Sequence, residues 1–413
     1  MSKLLCIAML GFTLTTYAQT PITITGKVMD AETKEPLAFS TISLLGTSQG
    51  AVSNFMGEFT FTLERKQKRD TLFVSMLGFE PIKKSILELD LRERWEIELE
   101  ESVVMLEEVE VNEAELSALD IVNRVLINIP DNYPTTPYLL HGFTRSHKRE
   151  CGKYVALYEA DFDLFGQGYL KKSPERIYVK ESRQSQHVPY FHSRVLRNNR
   201  NLFISMRHIN DVLFRSYSLQ TNSNTYVIDK YAVDDTRLIY VIKTNHSRFV
   251  SHTMYVNAND FALLKVVMEM ETPTNEKWNP LLNKGPSSDS LDFKVTRISK
   301  TIQFEQTENT YHTKYMDWLV EGNLMYQNTD SAVCDWGFRF ETMFDKASTQ
   351  DIQKPSKQYL MNPKSKKDPP LTPYNEVFWS SYPPITAFPI TAQIVEDLEL
   401  EVPLIQQFKR SGK

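Results

Sequence analysis

From Ile22 onward apolar and polar residues alternate in short runs separated by turn residues, which predicts half-buried strands. Ile22, Ile24, Gly26 and Val28 share one face of the first run, while Thr23, Thr25 and Lys27 share the other. Ala38, Ile42 and Leu44 line one side of the next. Phe59, Phe61 and Leu63 then face inward between Glu58, Thr60 and Thr62, followed by Leu72, Val74 and Met76. Trp95, Ile97 and Leu99 alternate with Glu96, Glu98 and Glu100. Asn54 and Gly57 read as a structural turn, the first bonding its own backbone and the second taking a positive φ, and Gly78 marks a bend. About seven strands in about ninety residues is the density of a β-sandwich.

Beyond the sandwich, residues 103–111 read as one more strand, and a boundary near Asn112 closes a domain of residues 22–111. Leu119, Val122, Leu126 and Ile129 recur at helical spacing, predicting a connecting helix over 113–130 that Pro130 stops. Residues 138–345 read as a larger antiparallel β-rich domain. Its strands include 154–165, 262–270, 293–304, 314–326 and 336–344, with a hairpin turn at 257–260. Leu202, Met206, Ile209 and Leu213 predict a helix within 198–215, and residues 272–290 a long loop. A Lys/Pro-rich linker spans 354–373, and the tail 374–413 carries Trp379, Tyr382 and a short acidic helix near 395–400, aromatic enough to dock back on the second domain. The fold class is mainly β, with a few helices.

Composition adds compartment more than chemistry. Hydrophobic residues at 41% and charged residues at 24% of 413 positions are ordinary for a globular protein, and a net charge of -5 argues against a nucleic-acid partner. Lys3, the apolar run 4–14 and the small residues around Ala18 predict a cleaved export signal over 1–18. That run is too short to span a bilayer, so no transmembrane span is expected after cleavage, and the chain is expected in the periplasm or at the outer membrane or cell surface. With Cys6 inside the signal, Cys151 and Cys334 remain. They are free to pair in an oxidising compartment, but two cysteines so far apart make no framework, and two separate buried thiols are expected.

Gly26-x-Val28-x-Asp30, Pro36-Leu-Ala38, Gly46-Thr47, Gly57-x-Phe59 and Ser75-x-x-Gly78-Phe79 together resemble the carboxypeptidase-regulatory-like domain. The resemblance implies a transthyretin-like Greek-key sandwich, frequent at the N-terminus of exported proteins of Gram-negative bacteria. It also implies a non-catalytic accessory module and no peptidase activity. Ser53-Asn54 departs from the family's usual Thr-Asp while keeping the turn chemistry. The Leu-x-Glu-Val-x-Val run within 103–111 is similar to one preceding the plug of TonB-dependent receptors, but no long barrel-forming region follows. The meander leading through a tight turn to residues 260–265 is similar to the curved sheets of periplasmic lipoprotein-carrier half-barrels.

Candidate chemistry is sparse. No His-Glu-x-x-His pair, Gly-x-Ser-x-Gly elbow or Gly-rich phosphate loop occurs, so no catalytic residue, metal site or cofactor is assigned. Glu159, Asp161 and Asp163 share one strand face, fit to hold a cation or do acid–base work, although the plainer expectation is a solvent-facing side. Arg194, Arg197 and Arg200 lie in a basic, aromatic stretch suited to anionic glycan or lipid head groups. Three functions follow in order of preference. The first is a non-enzymatic exported envelope protein with a docking sandwich and a β-rich binding domain, its partner an envelope protein, lipid or glycan. The second is a periplasmic carrier or chaperone for lipid or lipoprotein, which requires an apolar hollow. The third is a hydrolase of surface polymers, which requires one of the three carboxylates in a cleft with a raised pKa.

Overall fold

The computed structural model describes residues 21–47, 49–102, 116–170, 175–185, 225–234, 237–247, 250–271, 291–307, 309–326, 331–350, 352–356, 360–361, 371–382 and 389–411. The export signal, the strand expected at 103–111, the helix within 198–215, the loop 272–290 and most of the linker lie outside these residues.

Seven short strands build the N-terminal module: β1 (Ile22–Asp30), β2 (Thr41–Leu44), β3 (Gly50–Val52), β4 (Glu58–Leu63), β5 (Thr71–Ser75), β6 (Ile82–Ser85) and β7 (Trp95–Leu99). They form two sheets, one ordered β4-β1-β7 and the other β3-β2-β5-β6. Their alternating inner faces meet in one core of Ile24, Val28, Ile42, Leu44, Phe59, Phe61, Leu72, Val74, Ile97 and Leu99. The expected sandwich is present, because period-2 alternation leaves each sheet one apolar face that only a second sheet can cover. Gly57 has φ +73°, and a Cβ there would collide with the Val28 carbonyl oxygen, so the β3–β4 turn requires glycine.

Helix α1 (Ala118–Ile127) starts at Ser117, whose Oγ accepts from the Asp120 N–H at 3.2 Å while Asp120 accepts in return from the Ser117 N–H at 3.1 Å. Pro130 does not stop this helix. It lies in the first turn of a second short helix, α2 (Ile129–Asn132), where its missing N–H costs nothing.

Ten strands then form one antiparallel sheet: β8 (Tyr138–Glu150), β9 (Lys153–Gly166), β10 (Arg176–Gln184), β11 (Thr225–Asp234), β12 (Arg237–Ser247), β13 (Val250–Asn257), β14 (Leu263–Glu271), β15 (Leu291–Thr307), β16 (Thr310–Tyr326) and β17 (Ala332–Ser348). Their order is β10-β9-β8-β17-β16-β15-β14-β13-β12-β11. The first strand of this domain therefore pairs with its last, and β8 lies third from one edge of a meander that is otherwise sequential. One face packs on α1 and α2 through Ile121, Val122, Val125 and Tyr133, which meet Leu140, Phe162, Ile239, Met254, Leu263 and Val320. Tyr133 fastens this layer: its hydroxyl donates to the Leu263 carbonyl at 2.7 Å and accepts from the Leu263 N–H at 2.9 Å.

The opposite face is covered by the module and by three C-terminal helices, α3 (Glu376–Ser381), α4 (Ala392–Leu398) and α5 (Leu404–Ser411). Phe39 and Val52 of the module meet Phe143, Tyr315, Met343, Trp379 and Tyr382. Phe39 holds φ 64° where its ring stacks on Tyr315 at 5.1 Å, a backbone conformation that its packing must maintain. Leu157 meets Ile394, Leu398, Leu404 and Phe408. Strands β8 and β9 are consequently buried on both faces for most of their length.

Cys151, in the β8–β9 turn, and Cys334, early in β17, form a disulfide with S–S 2.14 Å and Cα–Cα 5.0 Å. This corrects the expectation of two separate thiols: the β8–β17 pairing brings together residues 183 positions apart. Closing a loop of that length removes about 5 kcal/mol of unfolded-state entropy in the chain-entropy model. The double variant C151S/C334S is therefore expected to unfold at clearly lower urea concentration than the oxidised protein, and at the same concentration as the reduced one. An oxidised wild type with the midpoint of the double variant would show that the bridge constrains nothing.

Candidate functional site

Glu159, Asp161 and Asp163 project from one face of β9, and the strand register decides what each meets. β8 places Arg145 opposite Glu159 and His141 opposite Asp163, while β10 places Arg183 opposite Glu159. Glu159 accepts from Arg145 Nε at 2.7 Å and from Arg183 Nε at 2.6 Å, fully buried between them. Burial pulls its pKa up, but the two guanidinium groups outweigh this and hold the carboxyl below its ordinary range.

The β9–β10 register shifts between Val179 and Glu181, so Lys180 is the extra residue of a bulge. Its Nζ lies 3.0 Å from Asp163 Oδ1 and 3.5 Å from Asp161 Oδ2. His141 sits between the carboxylates, with Nδ1 3.0 Å from Asp163 and Nε2 3.2 Å from Asp161. The hydrogen bond that the ring donates to Asp163 raises the His141 pKa, while burial works against it. Asp163 is held below its usual value: burial raises it, and the bonds from His141 and Lys180 prevail. Because the two imidazole nitrogens point apart, the three side chains do not converge on one point. Among the described residues, no group of three or more His, Cys, Asp or Glu side chains is arranged to hold a metal ion.

The row was expected to face solvent; instead Glu159 is 0% and Asp161 3% exposed. The reason is tertiary, since a separate segment lies over it. Tyr382 donates its hydroxyl to Asp161 at 2.6 Å. Arg183 is held between two tail rings, its guanidinium 4.5 Å from the centroids of both Trp379 and Phe408. Asp397 of α4 accepts from the Tyr154 N–H at 2.9 Å.

The module reaches the same face through its β3–β4 turn. Asn54 Oδ1 accepts from the Met56 and Glu58 N–H groups, both at 2.9 Å, and its Nδ2 donates to the Pro389 carbonyl at 3.1 Å. The turn thus presents Phe55 to the sheet. Gly78, with φ +93°, marks the second contact, where a Cβ would lie 3.3 Å from the Tyr255 ring. Both turns legible as structural also carry the junction between module and sheet.

Beside β10, residues 371–377 bound a groove of about 660 Å³ together with Val179, Lys180 and Glu181. Thr372 and Ser182 clamp one wall through paired bonds, Ser182 N–H to Thr372 Oγ1 at 2.8 Å and Thr372 N–H to Ser182 Oγ at 3.0 Å. Asn375 Nδ2 donates to Glu181 at 3.0 Å.

The structure therefore brings the β9 carboxylates together with Arg145, Arg183, Lys180 and His141, none of which stood out in the sequence. The one available signal was that Arg145 shares an odd-numbered strand face with His141 and His147. Its partner strand was not readable. Arg194, Arg197 and Arg200 lie outside the described residues.

The chain is thus a two-sheet module docked on a ten-stranded antiparallel sheet, with a charged face enclosed between them. Its module is a CarboxypepD_reg-like domain, whose family model matches residues 24–111. No curated protein matches the chain. Among solved structures the chain is similar to a DUF1329 family protein from Desulfovibrio piger, at 7% identity, over 57% of this chain and 93% of that one, with TM-score 0.26. It is similar to a putative outer membrane lipoprotein-sorting protein domain from Vibrio parahaemolyticus at 9% identity, over 57% and 94%, with TM-score 0.25. A LolA superfamily protein from Nitrosomonas europaea is similar at 10% identity, over 58% and 96%, with TM-score 0.24.

Replacing Glu159 by glutamine removes the counter-charge of the buried Arg145 and the largely buried Arg183 and sets an NH2 donor against one of them. Glu159→Gln is expected to cost about 3–5 kcal/mol in urea unfolding at neutral pH. The depressed carboxyl pKa makes its stabilisation present above the ordinary value of 4.5 and lost as pH falls through the lower folded value. The variant should therefore lose part of the wild-type acid sensitivity below that pH. Equal midpoints for both proteins at neutral pH would refute the triad's structural role.

Proposed function

We propose that the protein is a non-enzymatic binding protein of the cell envelope, in which the sandwich docks on the large sheet and the groove beside β10 receives a polar glycan or peptide. The observation that carries this reading is the occupation of the β9 carboxylates. All three are engaged by side chains of the same chain, and Glu159 and Asp163 are held more acidic than usual. A general acid needs the opposite, a carboxyl kept protonated near neutrality. Glu341 is pushed up to about 7 by burial, but it lies under the module turn and bonds the Phe55 N–H.

The groove's lining combines the hydrogen-bonding groups of Lys180, Glu181, Thr372, Asn375 and Glu376 with the ring of Tyr374 and the apolar Val179, Leu371, Pro373 and Val377. Hydrogen-bonding groups set among apolar side chains and one aromatic ring suit a sugar or a peptide. The apolar face of the large sheet is packed by α1, α2 and a set of aromatics, with Tyr169 stacked on Tyr138 at 5.1 Å and tilted against Tyr133 at 5.3 Å. The disulfide fits an oxidising compartment. Among the described residues, no helix is long and apolar enough to cross a membrane.

Val377 lines the groove while 80% exposed, so V377W narrows the mouth without disturbing the core. Binding of envelope-derived oligosaccharide or peptide fractions, followed by calorimetry, is expected to weaken about tenfold in V377W, or about 1.4 kcal/mol. The unfolding midpoint should stay unchanged. Acyl lipid retained by the wild type in native mass spectrometry, after purification from its own envelope, would instead support the carrier reading.

A further inference from the structure

The sandwich meets the large sheet and the tail through the end at which β1, β3 and β5 finish, where Phe39, Val52, Asn54, Phe55 and Gly78 lie. The opposite end, away from the sheet, carries a different chemistry. A single 3-10 turn, Arg65–Arg69, connects β4 to β5 there. Gln67 is its inward residue: Oε1 accepts from the Glu64 N–H at 2.8 Å, and Nε2 donates to Gln49 Oε1 at 2.7 Å. The turn is thereby tied to the β2–β3 connection, and Arg65, Lys66, Lys68 and Arg69 stay on the outside, all four exposed.

Two exposed leucines flank this basic turn. It runs straight into β5, which lies between β2 and β6 in its sheet. The Leu45 N–H donates to the Thr71 carbonyl at 2.9 Å, and the Ile86 N–H donates to the Asp70 carbonyl at 3.1 Å. The chain leaving β2 and the chain leaving β6 are therefore fastened to consecutive residues at the start of β5. That sets the two about 10 Å apart, two strand spacings. Ile86 is spent on the sandwich core, whereas Leu45 is 49% and Leu87 58% exposed. Gly46, at the β2–β3 turn, has φ +77°, and a Cβ there would meet nothing within 4 Å, so this end is open.

The charge of this end is unbalanced. Lys66 pairs with Glu64 at 2.7 Å, Lys84 with Glu88 at 3.1 Å and Arg92 with Asp90 at 3.1 Å. Among the described residues, Arg65, Lys68 and Arg69 make no ion pair, and Lys83 has only the Phe73 ring, 5.8 Å away. The unpaired acids of the same connections are Asp70 and Glu93. A cationic end on a chain of net charge -5 is a local feature and not an average one. Two separated leucines among cations make a poor core for a protein interface, where apolar area is contiguous and lysine is depleted. They match an anionic lipid surface, where cations meet phosphates and apolar side chains dip into the acyl boundary.

We infer that this far end of the module docks on a bilayer carrying anionic phospholipid, with Arg65, Lys68 and Arg69 on the phosphates and Leu45 and Leu87 entering the surface. The module then holds lipid at one end and the ten-stranded sheet at the other. The inference needs neither the groove beside β10 nor its ligand.

Flotation of the full chain with phosphatidylcholine vesicles containing about 30% phosphatidylglycerol tests it. The wild type is expected to float at about 50 mM salt and to be released at about 0.5 M, where screening acts within about 5 Å. Vesicles of phosphatidylcholine alone should leave it unbound. At about fivefold per cation, R65A/K68A/R69A should bind the anionic vesicles about 100-fold more weakly. L45S/L87S should bind them about tenfold more weakly. The three cations make no ion pair within the chain, so the triple variant should keep the wild-type unfolding midpoint in urea. Unchanged vesicle binding in the triple variant overturns the inference, because another part of the chain then holds the lipid. Unchanged binding in a folded L45S/L87S overturns it as well. A wild type that stays unbound at low salt ends it too, leaving an acidic protein as the partner of this end.

Discussion

A buried carboxylate between two guanidinium groups constrains the rest of the molecule. Glu159 has no exposure, and Arg145 and Arg183 come from the strands on either side of β9. Taking three charges out of water costs several kcal/mol per ion, and the cost is offset only if the geometry is kept. The register of three strands, the covering of their outer face and the placement of the tail aromatics over Arg183 are therefore one problem. A slip of one residue in β8 or β10 would turn an arginine to the opposite face and leave Glu159 buried and unpaired.

The same constraint explains why the outer face of the sheet is charged although it is covered. An apolar face would accept many covering arrangements, whereas a charged one accepts only those that satisfy its donors and acceptors. Tyr382 meets Asp161, Asp397 meets the Tyr154 N–H, and Phe55 meets Glu341, so the tail and the module are each located by a polar contact as well as by apolar packing. The bulge at Lys180 belongs to the same scheme, since without it Lys180 would take the place opposite Asp161 and Ser182, not Arg183, would stand opposite Glu159.

Much of the architecture was legible from periodicity. The module's strands followed from strict alternation, and its family resemblance from a few glycines and prolines whose backbone requirements few other residues meet. The shared face of Glu159, Asp161 and Asp163 was equally readable, because side-chain direction in a strand depends only on parity. Their exposure was not readable. Polar alternation looks the same whether the polar side meets water or meets arginines under a second layer. The disulfide was missed for a related reason, since two cysteines 183 positions apart become neighbours only when β8 pairs with β17.

The sequence by itself determined that the chain is mainly β, where its sandwich begins, which residues turn its hairpins and which carboxylates lie side by side. These are local properties, set by alternation, φ preference and turn chemistry over a few residues. Only the tertiary structure decided that β8 pairs with β17 inside the sheet, that Arg145 and Arg183 close on Glu159, and that Phe55 and Tyr382 seal the charged face. Those contacts join segments far apart in the chain, and their energy comes from desolvation, which a linear pattern does not encode.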